Sequence, residues 1–418
     1  VFNLPYFALQ CSLPQKNLEL SMLNFNLTTS ALFPVIDGHS TALRKATLLR
    51  LAVASLTIIG LDASYAQSRY LAIPVAVGSG EGINNRGDIC GTLSANNHAF
   101  LYKWGRLTDL GVFKFPFPQQ SYSSRGFSVN DSDAVAGRIS SFSRGGTSRR
   151  DSFLYVDGEM FDIAPGSNDG GFSSSVGGNN NRGEVVGSYD AGGTITNPPA
   201  LPGAATARAF LYRNGQLYDV GTLGGLFSVG SGINNAGQIV GNSTVVIGKS
   251  EAFAFLFSNG RMQVIGGAKA GNFAPWAIND NGWITGTLTN TPVTIKPSND
   301  INRNPTDGYA ALYVNGNLSS LGTLSGYTGS QGLSINNSGT IIGALTTPDS
   351  SVTGVSGVFI YSGGRMYDLN KLVFGPWTIL SVGHINDAGE IAATGSWAGS
   401  TVTYALILIP VPFSGLLR

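Results

Sequence analysis

The sequence predicts an all-β fold, a seven-bladed β-propeller of four-stranded antiparallel blades, on three observations. A turn string of the form Ile-Asn-(Asn/Asp)-x-Gly-x-(Ile/Val)-x-Gly returns, intact or degraded, at residues 83, 129, 179, 233, 278, 335 and 385. A second string follows each copy after a variable stretch, as in HAFLYKWGRLTDLG from 98, RAFLYRNGQLYDVG from 208 and YAALYVNGNLSSLG from 309. The last repeat, ending TYALILIPVP, lacks its fourth strand, and RYLAIPVAVG, which matches the missing piece, stands ahead of the first turn string. An internal period of this length is the mark of a repeat architecture and sets the reading of everything else.

In the turn string, Asn tolerates left-handed backbone and Gly adopts it freely, so Asn-Asn-x-Gly reverses the chain between strands one and two of each repeat. In AFLYRNGQLYDV, aromatic and branched residues flank Asn-Gly, the pair favoured by a type I′ hairpin, so strands three and four pair. Four short strands in about 50 residues are a propeller blade, whereas a helical array would show a 3.6-residue period. Tyr70 to Val77 is expected to pair with Tyr404 to Pro410, which would close the ring and cover two strand edges.

Taken in chain order, residues 1–43 read as an upstream extension. Residues 44–66 read as a secretory signal: Arg44, Lys45 and Arg50 precede an apolar run from Leu51 to Leu61, with small residues Ser64 and Ala66 before Gln67. That run is well short of the roughly 20 residues that span a bilayer. Residues 67–412 form the repeat array, and 413–418 a tail.

The 418-residue chain is 42% hydrophobic and 12% charged with 57 glycines, which fits many short strands joined by tight turns. Residues 67–418 hold 21 Lys/Arg and 21 Asp/Glu, and this zero balance, with only SRRD (Ser148 to Asp151) as a basic run, excludes the usual footprint of a nucleic-acid or anionic-membrane binder. Of the two cysteines, Cys11 precedes the signal and Cys90 occupies a slot filled by Val186 and Val240 in other repeats, so it is expected as a small buried hydrophobe.

With both tight turns of each blade on one face, the long connections share the other, and loops on a rigid scaffold are where binding residues gather. On that face Phe113, Phe115 and Phe117, with Phe273 and Trp276, are candidates for aromatic surface toward a sugar ring or acyl chain. Asp169, Asp190, Asp300 and Asp307 are candidate oxygen ligands for calcium, although no Asp-x-Asp-x-Asp-Gly loop is present. His98 and His384 stand in repeat slots filled elsewhere by Arg208 and Ser334, too few for a histidine zinc site. There is no Gly-x-Ser-x-Gly elbow and no dinucleotide fingerprint, and IGKS (Ile247 to Ser250) lacks the leading glycine of a phosphate loop.

The strings HAFLY, TDLG, GTLGG and INNAGQIVG resemble the HAF-type extracellular repeat proteins of bacteria, over essentially all of residues 67–412. The resemblance implies a secreted, periplasmic or surface-exposed bacterial protein and supplies no catalytic residues. The sorting segment common in that family, Pro-Glu-Pro before an apolar span and a basic tail, is matched only at Pro410 to Pro412, where Phe413 follows.

The expectation is a monomeric extracellular binding module for a small molecule or glycan, with no nucleic-acid partner and no membrane span in the mature chain. The alternative is a calcium-assisted hydrolase of small lactones or esters, recognised by fold-level analogy alone and needing carboxylates and amides converging in the channel.

Overall fold

A computed structural model describes residues 70–113, 121–142, 148–164, 174–190, 207–295, 308–347 and 357–411. By its contacts the chain divides into two units, Val1–Thr41 and Ala42–Arg418, and all described residues belong to the second. The expected signal and tail lie outside them. The unit is an all-β propeller whose described strands form five four-stranded antiparallel sheets and one seven-stranded sheet. Among the described residues no helix is long and apolar enough to cross a membrane.

The turn string folds the same way in every copy, and the reason lies in its first asparagine. The backbone N–H of Asn84 bonds the carbonyl of Asp88, and the N–H of Gly87 returns to the carbonyl of Asn84. Gly87 sits at φ 80°, and in the second copy Asp133 takes the same left-handed place at φ 65°. The side-chain Oδ1 of Asn84 accepts the N–H groups of Arg86 and Asp88, holding the loop from inside. The second reversal is a type I′ turn, with Asn214 and Gly215 at φ 53° and 77°.

The glycine that ends the turn string is a packing requirement. Gly137, Gly187, Gly241 and Gly343 lie directly opposite Phe153, Phe210, Phe255 and Phe359, all fully buried. A Cβ on Gly343 would stand 1.9 Å from the carbonyl oxygen of Gln331 and 2.6 Å from the Phe359 ring. The ring lies where a side chain would be, and the sheets pack face to face over these rungs.

One repeat departs from the pattern in an instructive way. Its aromatic slot holds Ala311, paired with Gly286, and Phe273 fills the gap from the neighbouring strand, its ring 2.8 Å from where a Gly286 Cβ would be. Phe273 is 0% exposed and packs with Val240, Ile284 and Ala311. The sequence-based reading of Phe273 as ligand-facing aromatic surface is therefore corrected: it replaces a missing core phenylalanine.

A serine staples neighbouring sheets. Ser228 Oγ accepts the N–H of Ala209 and donates to the carbonyl of Gly221, both in the preceding sheet, and Ser124 and Ser330 do the same in theirs. These bonds satisfy backbone groups left over where the outer strands bulge.

At the chain ends, Tyr70–Ile83 is one continuous strand. Its first half pairs antiparallel with Thr403–Pro410, Tyr70 opposite Pro410 and Val77 opposite Tyr404. Its second half, from Gly78, pairs with Ile89–Leu93. No connection intervenes between the two roles, and this shared strand is what merges seven strands into one sheet. Gly78, at φ 150°, marks the changeover; a Cβ there would lie 2.0 Å from the carbonyl oxygen of Thr92.

Candidate functional site

All seven turn strings converge at one end of a central channel, around a cavity of about 150 Å³. Each buried asparagine donates its Nδ2 to the backbone carbonyl of the next: Asn84 to Asn130, Asn130 to Asn180, Asn180 to Asn234, Asn234 to Asn279, Asn279 to Asn336 and Asn336 to Asn386. Asn386 donates to Asn84, so the series returns on itself. In every copy Oδ1 accepts the N–H four residues on.

A second belt lies outside the first. The backbone N–H of Asn85 bonds Asp131 Oδ1, that of Asp131 bonds Asn181, and so on through Asn235, Asp280, Asn337 and Asp387 back to Asn85. The three aspartates never adjoin one another in this belt, and each accepts from at least one asparagine Nδ2, as Asp280 does from Asn235 and Asn337. Amide donors between carboxylates remove the like-charge repulsion that adjacent aspartates would bring. The polar groups at this end are spent on one another, which assigns them to architecture.

The opposite end carries the long connections, and there the last sheet presents an aromatic cluster. Trp377 opens its innermost strand, Trp397 ends the next and is Trp377's cross-strand partner, and Tyr404 begins the third. The two indoles meet edge to face at 5.0 Å, and Trp377 meets the Tyr404 ring at 5.8 Å. Trp397 is 47% exposed, while Trp377 and Tyr404 are half-buried and pack against the core of this sheet. An exposed indole held on a strand makes this end a candidate interaction surface. Sequence reading missed it because Trp377 and Trp397 sit 20 positions apart, and only strand pairing joins them.

Charged groups line the innermost strands. Burial pushes the Glu81 carboxyl above the usual range, and Arg125 together with a Ser79 hydrogen bond draws it partly back. His384 is half-buried on the strand Trp377–Ile385, and desolvation alone pushes it down to about 4. His98 is instead a surface partner of Asp109, Nδ1 at 3.0 Å, in the place where Arg208 bonds Asp219 at 3.0 Å. Cys90 is fully buried and free, and burial pushes its thiol up.

Of the aromatic candidates, Phe113 packs partly buried against Cys90, Ile139 and Phe153, and Trp276 is half-buried on the strand Phe273–Ile278. Phe115 and Phe117 lie outside the described residues, as do Asp169, Asp300 and Asp307. Asp190 ends the strand Val185–Asp190, and its side chain is outside the description. Among the described residues no three His, Cys, Asp or Glu side chains gather as a metal would require.

No family model matches the chain, and no curated protein matches it. Solved structures similar to it include the β-propeller domain of the trilobed protease from Pyrococcus furiosus, at 10% identity and TM-score 0.45, covering 81% of this chain and 99% of that one. A gluconolactonase from Xanthomonas campestris is similar at 11% identity and TM-score 0.37, covering 84% and 94%. Regucalcin, a calcium-binding protein from Agrobacterium tumefaciens, is similar at 12% identity and TM-score 0.31, covering 83% and 95%.

Proposed function

We propose that this chain is an extracellular binding module of the HAF-repeat type, a seven-bladed propeller that takes a glycan or another small extracellular ligand at its loop-bearing end. In this reading the seven-stranded sheet is two blades sharing Tyr70–Ile83, which agrees with the sevenfold series of asparagine bonds. The observation that carries the functional reading is the aromatic cluster of Trp377, Trp397 and Tyr404, in which Trp397 is exposed and the other two are half-buried. Indole and phenol faces held on strands offer a pre-ordered stacking surface for the C–H face of a sugar, at little entropic cost on binding.

The test is a glycan array probed with the protein and with Trp397→Ala. A saccharide bound by the first and at least about tenfold more weakly by the second supports the reading, since truncating a central aromatic anchor commonly costs that much. A parallel panel of lactones and esters, with calcium and with a chelator, addresses the hydrolase. Calcium-dependent turnover there, with a silent array, would replace the binding module by the enzyme.

A further inference from the structure

The second sheet carries a basic cluster with no ion pair among the described residues. Arg125, on its innermost strand, lies directly opposite Arg138. Two places further along the same strand Ser140 lies opposite Arg150. Side chains directly opposite on paired strands share one face with Cβ atoms about 5 Å apart, and residues two apart in a strand point the same way. The three guanidiniums therefore share a face. It is the face turned to the third sheet, because Ala136, two before Arg138, packs with Val185 and Phe210.

None of the three arginines forms an ion pair among the described residues. The contrast within the molecule is direct: Arg86, Lys103, Arg182 and Arg208 each sit on a carboxylate. Arg138 is the most confined of the cluster. Its Nε is buried with no hydrogen-bond partner, and its guanidinium lies 5.7 Å from the Phe127 ring centre. Burial, then Arg150 and Arg125, lower its pKa to about 10. Glu81 interacts electrostatically with Arg125 without forming an ion pair, and its burial favours the neutral acid. An unpaired buried cationic donor beside two like charges costs stability unless something else satisfies it.

We propose that Arg125, Arg138 and Arg150 form a site for a doubly charged tetrahedral oxyanion, a sulfate or phosphate group, between the second and third sheets. Guanidinium forks match the oxygen edges of such groups, and a dianion offsets most of the cluster's charge. The site opens toward the loop-bearing half, since Ser140 and Arg150 lie beyond Arg138 in that direction. It deepens the reading above by giving the extracellular ligand an anionic group, and it rests on that reading only for where the anion comes from.

The experiment uses the full chain and inorganic sulfate and phosphate, with chloride at matched ionic strength as control, read by thermal shift and calorimetry. A saturable stabilisation by the dianions is expected, absent with chloride and weakened about tenfold or more in Arg138→Gln, as loss of a charged hydrogen-bonding group implies. Arg125→Gln and Arg150→Gln, both at exposed positions, carry the same test should Arg138→Gln fail to fold. Arg261→Gln, exposed on the fourth sheet, is expected to bind as the parent does. An equal response to chloride, an equal response to acetate, or full binding by all three cluster variants would overturn the proposal. Matched phosphorylated and unphosphorylated saccharides then separate the sources, since a phosphate monoester carries close to two charges: tighter binding of the phosphorylated form places the anion on a sugar. Dianion binding beside a silent glycan array would leave this site standing while the glycan reading falls.

Discussion

The Nδ2 of Asn386 donates to the backbone carbonyl of Asn84 at 2.9 Å across 302 positions of sequence. The same contact links every neighbouring pair of turns, so a residue type usually explained by local loop geometry is also what ties each sheet to the next. Its amide donates between sheets while its carbonyl oxygen holds its own turn. Both ends of a planar group are used, which neither Asp nor Ser can reproduce.

Replacing one such asparagine is expected to be costly. Asn234→Ala removes the inter-sheet donor to the Asn279 carbonyl, which keeps the Gly282 N–H, and the acceptor of the Ala236 and Gln238 N–H groups. A loss of about 1–3 kcal/mol by chemical denaturation follows from losing these bonds together. Asn235→Ala, in the exposed outer belt, is expected to lose under about 1 kcal/mol. Equal losses at the two positions would mean that the inner belt has no special role.

Phe273→Ala is expected to destabilise by about 3–5 kcal/mol, the usual range for emptying a buried phenylalanine site. The double change Phe273→Ala with Ala311→Phe places the ring where other repeats hold it, and part of the loss is expected to return. Denaturant midpoints at unchanged m-value read both. Failure of the second change to recover stability would show that the two positions are not exchangeable.

Deleting residues up to Val77 exposes the edge of Thr403–Pro410 along its whole length. An uncovered apolar strand edge pairs with whatever strand it meets, so size-exclusion chromatography is expected to show self-association. A monomer with an unchanged melting temperature would remove that strand from the account of stability.

His384 makes stability depend on pH in a definite direction. Its folded pKa of about 4 lies below the unfolded value of 6.5, so the unfolded chain takes up the proton first. Stability from this group is whole above pH 6.5 and falls as the pH drops toward 4, by about 3 kcal/mol. The difference between the parent and His384→Gln across that window isolates it from Glu81, whose raised pKa acts with the opposite sign. Parallel curves for the two proteins would show that His384 is solvated in the fold.

Much of the fold was legible because its period is local. Turn strings, Asn-Gly hairpins and the pattern of the chain ends are written within ten to fifteen residues each, and the pairing of Tyr70–Val77 with Tyr404–Pro410 follows from counting strands. The candidate site was less legible. Aromatic residues were sought in the loops by type, and of these Phe273 went to the core because one repeat holds Ala311 where five others hold Phe. The pair of half-buried Trp377 and exposed Trp397 is brought together by strand register, which no linear motif encodes.

By itself, the sequence determined the all-β class, the repeat and the local reversals, since glycine and asparagine backbone preferences act over a few residues. Only the tertiary structure decided that the first asparagine is an inter-sheet clasp, that Phe273 is core, and that Arg125, Arg138 and Arg150 share a face with no ion pair among the described residues. The physical reason is one of range. Hydrogen-bond saturation, burial and charge balance are sums over neighbours from distant parts of the chain, and those neighbours exist only once the sheets have assembled.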